Sequence, residues 1–210
     1  MTKVYIVRHG LTHHNVWTAN AFKEKENGTM TEEFFAHPDG TKGDVSLTEE
    51  GHAQAKETAK DLVGISFDAI YCSPYKRTRQ TLDGLSEGLG ATTPKPIFDD
   101  RIREYTMGDL DNMHPLKREQ EGIFFDHNKI SLACTYDYRQ WNGESWEHDV
   151  APRVQSFIDE IKQKHPNQTV LLVSHGGVIR TFYKLLLQEK SPTISKFIRL
   201  PNCSIHEFNL

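Results

Sequence analysis

The chain has 210 residues, 37% of them hydrophobic and 26% charged, which at about 150 residues per domain favours one compact domain and argues against wholesale disorder. Lys and Arg (25) against Asp and Glu (29) leave a net charge of −4, so the broad positive field needed for nucleic-acid or anionic-membrane binding is absent, although a local basic pocket is not excluded. No apolar run approaches the roughly 18 residues of a membrane span.

Residues 3–7 (KVYIV) form a β-branched and aromatic run ending at Arg8-His9-Gly10, the pattern of a strand feeding a loop. The run is too short for a signal peptide, and no small-residue cleavage site follows it. A long polar stretch, 11–45, comes next, with Lys23-Glu24-Lys25-Glu26 ahead of Phe34-Phe35. After Thr48, a suitable helix cap, Ala55, Ala59, Leu62 and Val63 recur at helical spacing. Residues 68–72 (DAIYC) repeat the strand signal and run into Ser73-Pro74, after which Tyr75, Thr78, Leu82, Leu85 and Leu89 follow the helical period. Segment 105–146 is rich in aromatic residues with little periodicity. Excursions as long as 11–45 and 105–146 are either lids over a site or surface decoration.

Val150, Val154, Phe157, Ile158 and Ile161 give the clearest helical stripe, ending in Lys162, Lys164 and His165 before Pro166. Residues 169–173 (TVLLV) lack alternation, as a strand buried on both faces of a parallel sheet does, and lead into Ser174-His175-Gly176-Gly177. Residues 178–187 are apolar on nearly every side and predict a buried helix; further strands are expected at 196–200 and 204–208. Strand–helix alternation of this kind predicts an α/β fold with a mainly parallel central sheet and helices on both faces. Cys72, Cys134 and Cys203 are widely spaced with no CxxC, so neither a disulfide framework nor a cysteine zinc site is expected, and a reducing cytoplasm fits best.

Three of the expected strands end in anion-seeking residues: Arg8-His9-Gly10, then Ser73 with Arg77 one turn on, then His175-Gly176-Gly177. The carboxyl ends of parallel strands lie on one edge of the sheet, where ligands bind, so two arginines and two histidines should converge from distant segments. Converging guanidinium groups suit a phosphate, and the glycines beside both histidines let backbone amides approach an anion. His9 and His13 have an i, i+4 spacing that on a helix would suit a metal, but they fall in a glycine-containing loop without HExxH.

The motifs resemble those of the histidine phosphatase superfamily, the phosphoglycerate-mutase-like enzymes. Arg8-His9-Gly10-Leu11-Thr12-His13-His14-Asn15 is similar to its RHGxTxxN signature, and residues 44–55 to its D-x-x-LT-x-x-G-x-x-QA segment. Ser73-Pro74-Tyr75-Lys76-Arg77-Thr78-Arg79-Gln80-Thr81 is similar to its S-x-x-x-R-x-x-Q-T segment, followed in order by Glu104, Gly143-Glu144-Ser145 and Ser174-His175-Gly176-Gly177. The resemblance implies a phosphoglycerate-mutase-like fold in which His9 is the nucleophile and carries a transient phosphoryl group. It implies that Arg8, Arg77 and His175 stabilise the transferring group, that Asn15 and Gly176 bind it, and that Glu104 is the general acid and base. No metal and no cofactor is implied. Two neighbours compete for these roles: Arg79 stands two residues after Arg77 but is expected to be a surface residue, and Glu104 could instead pair with Arg101 or Arg103.

The stretch Glu104-Tyr105-Thr106-Met107-Gly108 is closer to the E-x-x-x-G form of small phosphatases than to the mutase form, although Asn112 replaces a second glycine. Gly176 after His175 argues against the acid-phosphatase and phytase branch. The span from His9 to Leu47 is longer than usual for the family, so residues 16–41 read as an insertion in the loop that meets substrate. A metal-independent phosphomonoester hydrolase is therefore expected, with a phosphoglycerate mutase as the alternative. A non-catalytic phospho-ligand binder would be expected to have lost His9 or Glu104. The expected partner is a small phosphorylated substrate, with sugar phosphate, phosphoglycerate, nucleotide and phosphoprotein all compatible. Neither nucleic acid nor membrane is expected as a partner.

Overall fold

A computed structural model describes residues 1–28, 45–89, 93–111, 113, 117–118, 136–187 and 200–210. The two-residue period of a strand sends successive side chains to opposite faces, and in β1 (Lys3–Arg8) both faces are apolar: Val4 and Ile6 enter one buried cluster and Val7 the other. The same division holds in β2 (Ala69–Cys72), where Ala69 and Tyr71 oppose Ile70 and Cys72, and in β4 (Thr169–Ser174), where Val170 and Leu172 oppose Leu171 and Val173. Strands buried on both faces read as continuous apolar runs, which is why 169–173 shows no alternation. With β3 (Ile97–Phe98) and β5 (Ile205–Asn209) they form a sheet of order β3-β2-β4-β1-β5, parallel except for β5, which runs antiparallel to β1.

Helices cover each face. Val154, Phe157, Ile158 and Ile161 of α4 (Ala151–Lys164) and Val178, Ile179 and Phe182 of α5 (Gly176–Leu187) fill the first cluster. Ala59 of α2 (Glu49–Asp61) and Leu82 and Leu85 of α3 (Lys76–Ser86) fill the second, together with Leu62. Thr48 caps α2 as expected, its side chain accepting from Gly51 N–H.

Several boundaries differ from the sequence-based expectation. α2 ends at Asp61 and Gly64 turns the chain at φ +83°, leaving Val63 65% exposed outside the helical stripe. Tyr75 precedes α3 rather than joining it, and Leu89 is buried in the turn beyond the helix. The short edge strand β3 was not anticipated, because two half-exposed residues leave no periodic signature. Within the expected insertion 16–41, residues 16–27 are helical, part of α1 (His13–Asn27). Thr12 starts that helix through a reciprocal pair, its Oγ1 accepting from Asn15 N–H and its own N–H donating to Asn15 Oδ1. Residues 29–41 of the insertion, the strand expected at 196–199, and His37, His114, Phe124, Phe125 and Cys134 lie outside the described residues. In segment 105–146, Tyr105, Tyr136, Tyr138 and Trp141 stack in succession, with ring centroids 4.4, 5.3 and 6.4 Å apart.

Phe157 is fully buried and meets the Tyr71 ring edge-on at 5.3 Å. Phe157→Ala should lower the unfolding free energy by about 3–5 kcal/mol, measured by urea denaturation.

Candidate active site

Strand register brings the motifs to one level. Arg8 pairs with Ser174 and Cys72 with Val173, so His9, His175 and Ser73 leave the sheet together. His9 is 5% exposed, and its Nδ1 lies 2.9 Å from Gly10 O. A carbonyl only accepts, so Nδ1 must carry the ring proton and Nε2 keeps its lone pair. Burial first, then the nearby Arg77 and Arg8, hold the His9 pKa well below the usual imidazole value, which keeps the ring neutral.

The loop after His9 rests on the start of α2. A Cβ on Gly10 would lie 2.6 Å from Gly51 O, and one on Gly51 would collide with Leu11 O, so only glycine permits this approach. Gly10 N–H donates to Thr81 Oγ1 (3.0 Å) and Leu11 N–H to Gln54 Oε1 (3.0 Å), so the loop is tied to α3 and α2.

Arg77, in the first turn of α3, is buried and lies 4.8 Å over the Tyr75 ring, whereas Arg79 is exposed. Burial pushes the Arg8 guanidinium down to about 10, and Arg8 donates to Leu200 O while its Nε is buried without a hydrogen-bond partner. His175 is fully buried, with its ring 5.3 Å from that of His9 and its Nε2 2.8 Å from Ser73 Oγ. Its Nδ1 also has no partner, and burial, Arg77, His9 and Arg8 lower its pKa well below the usual value. A buried polar atom left unpaired costs about 1–3 kcal/mol. Both atoms are donors or can be, and both stand beside a basic cluster, which suits them to an anionic acceptor.

Glu104 Oε2 accepts from Gly177 N–H (3.1 Å) and Oε1 from Tyr105 N–H (3.2 Å). A Cβ on Gly177 would collide with Oε1, so the second glycine after His175 makes room for the carboxyl group. Arg103 is instead paired with Glu144, through bonds of 2.7 and 2.9 Å. Glu144 also accepts from Arg153 Nε (3.2 Å) and Thr106 N–H (3.0 Å), so it shapes the loop carrying Glu104.

Arg8, His9, Asn15, Arg77 and Glu104 line one cavity of about 460 Å³, together with Thr12, His14, Val45, Tyr75, residues 105–109, Asp111 and Asn142. His175 stands behind His9 rather than in the cavity lining, as does Gly176, whose Cβ position would be 3.7 Å from Arg8 Nε. His13 and His148 are exposed and outside that lining. Among the described residues, no group of three or more His, Cys, Asp or Glu is placed to hold a metal ion, and no helix is long and apolar enough to cross a membrane.

Two contributors escaped the sequence reading. Tyr75 was assigned to a helical stripe but forms part of the cavity wall. Asn202 donates from Nδ2 toward His9 O (3.0 Å), Gly10 O (3.1 Å) and Asn15 Oδ1 (3.2 Å). With Thr12 N–H also on Asn15 Oδ1, the Asn15 amide is oriented with Nδ2 as its remaining donor. The only signal for Asn202 was its place in the turn Pro201-Asn202-Cys203, whose role depends on β5 pairing with β1.

Paired guanidinium groups, a neutral buried imidazole with a directed lone pair, and a carboxyl group in one cavity define a phosphoryl-transfer type of site. Residues 4–210 match the sequence model of the histidine phosphatase superfamily (branch 1), and the chain belongs to that family. It is 29% identical over 207 residues to "Probable phosphoglycerate mutase GpmB" of Cronobacter sakazakii, covering 98% of this chain and 83% of that protein. It is 34% identical over 154 residues to phosphoserine phosphatase 1 of Hydrogenobacter thermophilus, covering 69% and 65% of the two chains. Among solved structures, a mycobacterial glucosyl-3-phosphoglycerate phosphatase shares the fold with a TM-score of 0.70 at 21% identity, covering 98% of this chain and 88% of that one.

Asn202→Ala should lower kcat/KM about tenfold, about 1.4 kcal/mol, and Asn202→Asp more, because a carboxylate there would face three oxygen acceptors; steady-state kinetics on an aryl phosphate checks both. The depressed pKa values of His9 and His175 carry a sign. Above the free imidazole value of 6.5, folded and unfolded rings are both neutral. Below it the unfolded rings bind protons that the folded ones refuse, so stability falls as pH drops. Urea melts from pH 7 to pH 5.5 should show this loss, and a variant combining His9→Asn with His175→Asn should reduce it, the remainder coming from His206, which burial also holds below the usual value.

Proposed function

We propose that the chain hydrolyses phosphomonoesters through a phosphohistidine on His9. The observation carrying this reading is the His9 Nδ1–Gly10 O hydrogen bond, which leaves the Nε2 lone pair at a cavity lined by Arg8 and Arg77. Nε2 attacks phosphorus in line; an N–P bond forms as the P–O bond to the leaving group breaks. Glu104 gives its proton to the departing oxygen. A water then attacks the phosphohistidine, Glu104 takes the water's proton, and the N–P bond breaks to release phosphate and restore His9.

Charge gathers on the equatorial oxygens during both steps, and preorganised donors stabilise it without reorganising. Arg8 and Arg77 supply the charge, and Asn15 Nδ2 a neutral donor. His175 donates from Nδ1 when Ser73 Oγ donates to its Nε2. No step calls for a metal or cofactor.

Hydrolysis is favoured over isomerisation by the E-x-x-x-G form after the acid. Gly108 has φ +63°, and a Cβ there would collide with Trp141 O, so glycine is required at this turn. Phosphatase-named relatives support the same reading. Mutase activity is the second reading, favoured by the likeness to the mutase-named relative over 98% of the chain. Residues 1–210 are taken as a single catalytic domain acting on a small phosphorylated substrate, with no nucleic-acid or membrane partner. The free thiols of Cys72 and Cys203 support a reducing cytoplasmic setting.

Phosphate release from a panel of phosphomonoesters should persist in EDTA and fall by more than three orders of magnitude in His9→Ala, with no phosphoenzyme formed. Isomerisation of 3-phosphoglycerate without phosphate release would favour the mutase.

A further inference from the structure

The cavity is not uniformly basic. Among its described lining residues the only arginines are Arg8 and Arg77, and no lysine is present. Beside His9, His14, Asn15 and Glu104, the wall carries Thr106, Asp109, Asp111 and Asn142. Asp111 is committed locally: one oxygen accepts from the Thr106 hydroxyl and the other from Met107 N–H (2.8 Å). Asp109 is exposed and fixed through a single oxygen, which accepts from Asn142 Nδ2 at 2.8 Å. That leaves Asp109 as an acceptor at the mouth. At the other end His9 is 5% exposed with its Nδ1 on Gly10 O, which leaves the Nε2 lone pair for the phosphoryl group.

We infer that this wall selects small phosphomonoesters whose alcohol carries hydroxyl or ammonium groups, and that it discriminates against alcohols carrying a carboxylate. The inference rests on the phosphatase reading and names its substrate class. A carboxylate accepts hydrogen bonds and offers none, so the exposed Asp109 complements a donor-bearing leaving group. A second carboxylate on the substrate would meet like charge once the phosphate had taken up the two guanidinium groups. A volume of about 460 Å³ suits a small-molecule ligand, which favours a compact ester over a phosphoprotein segment. Asp109 is exposed, so its discrimination is electrostatic and weakens with salt.

Two matched pairs isolate the carboxylate. Glycerol 3-phosphate and 3-phosphoglycerate differ at one carbon, and phosphoethanolamine is phosphoserine without its carboxylate. With the wild-type chain at low ionic strength, kcat/KM for phosphate release should be at least tenfold higher for the carboxylate-free member of each pair. The ratio should shrink in 0.5 M salt, fall at least threefold in Asp109→Asn, and fall further in Asp109→Lys. Equal turnover within both pairs, or a ratio unmoved in Asp109→Lys, would overturn the inference. p-Nitrophenyl phosphate separates the two levels of failure. If the wild type hydrolyses it but shows no discrimination, only the substrate class fails. If even this ester is not hydrolysed, the phosphatase reading fails and takes the inference with it.

Discussion

A neutral imidazole held among guanidinium groups is the constraint on which this site depends. An imidazole cannot act as a nucleophile while protonated, and burial beside Arg77 and Arg8 holds the His9 pKa well below the usual value. The hydrogen bond to Gly10 O then decides which nitrogen holds the lone pair. The same concentration of positive charge that keeps His9 neutral leaves Arg8 Nε and His175 Nδ1 unpaired in the interior. On the proposed reaction, a phosphoryl group would bring negative charge to the guanidinium groups and acceptor oxygens to this end of the cavity. Electrostatics therefore sets the nucleophile's protonation and the ligand's charge together.

The rest of the molecule supports that arrangement by bringing loops together closely. The loop after His9 is held by contacts from α2, from α3 and from the turn before β5, through Gly51, Thr81 and Asn202 respectively. Each comes from a different part of the chain, so the loop forms only when the sheet is complete. Cys203 strengthens the last contact: at φ +58° its N–H reaches Arg8 O at 3.1 Å. The antiparallel strand at the edge of the sheet thus serves the site by presenting Asn202 to the nucleophile's backbone.

What the sequence disclosed and what it hid follow a physical division. Strands buried on both faces were legible as apolar runs, and polar residues at their ends marked the edge where ligands bind, so Arg8, His9, Arg77 and His175 could be brought together, whereas Glu104 came only from the family resemblance. The choice between Arg77 and Arg79 rested on spacing, and the burial of Arg77 agrees with it. Asn202 was invisible because its function lies in three long-range acceptors that no local pattern encodes. Val63 and Tyr75 were misplaced because helical periodicity says nothing about where a helix stops; a left-handed Gly64 and the turn through Pro74 decided that. The helical start of the expected insertion was missed because its helix formers carry no apolar stripe for periodicity to detect.

The division between chemistry and selectivity also has a structural basis. The groups proposed to meet phosphate stand at strand ends or in the first turn of α3, where sheet register fixes their relative height. The groups proposed to meet the leaving alcohol lie on 105–111 and Asn142, a wall held by local hydrogen bonds and by Glu144, which binds Arg103, Arg153 and Thr106 N–H at once. Glu104 joins the two regions. Its carboxyl group rests on Gly177 at the start of α5, while its carbonyl accepts from Arg103. A change in the wall that leaves the Arg103–Glu144 pair intact can therefore alter which alcohol is accepted without moving the proton donor. A change that breaks this pair frees Arg103, which also holds the Glu104 carbonyl, and on the proposed reaction would reach the chemical step even though Glu144 is not part of the cavity lining.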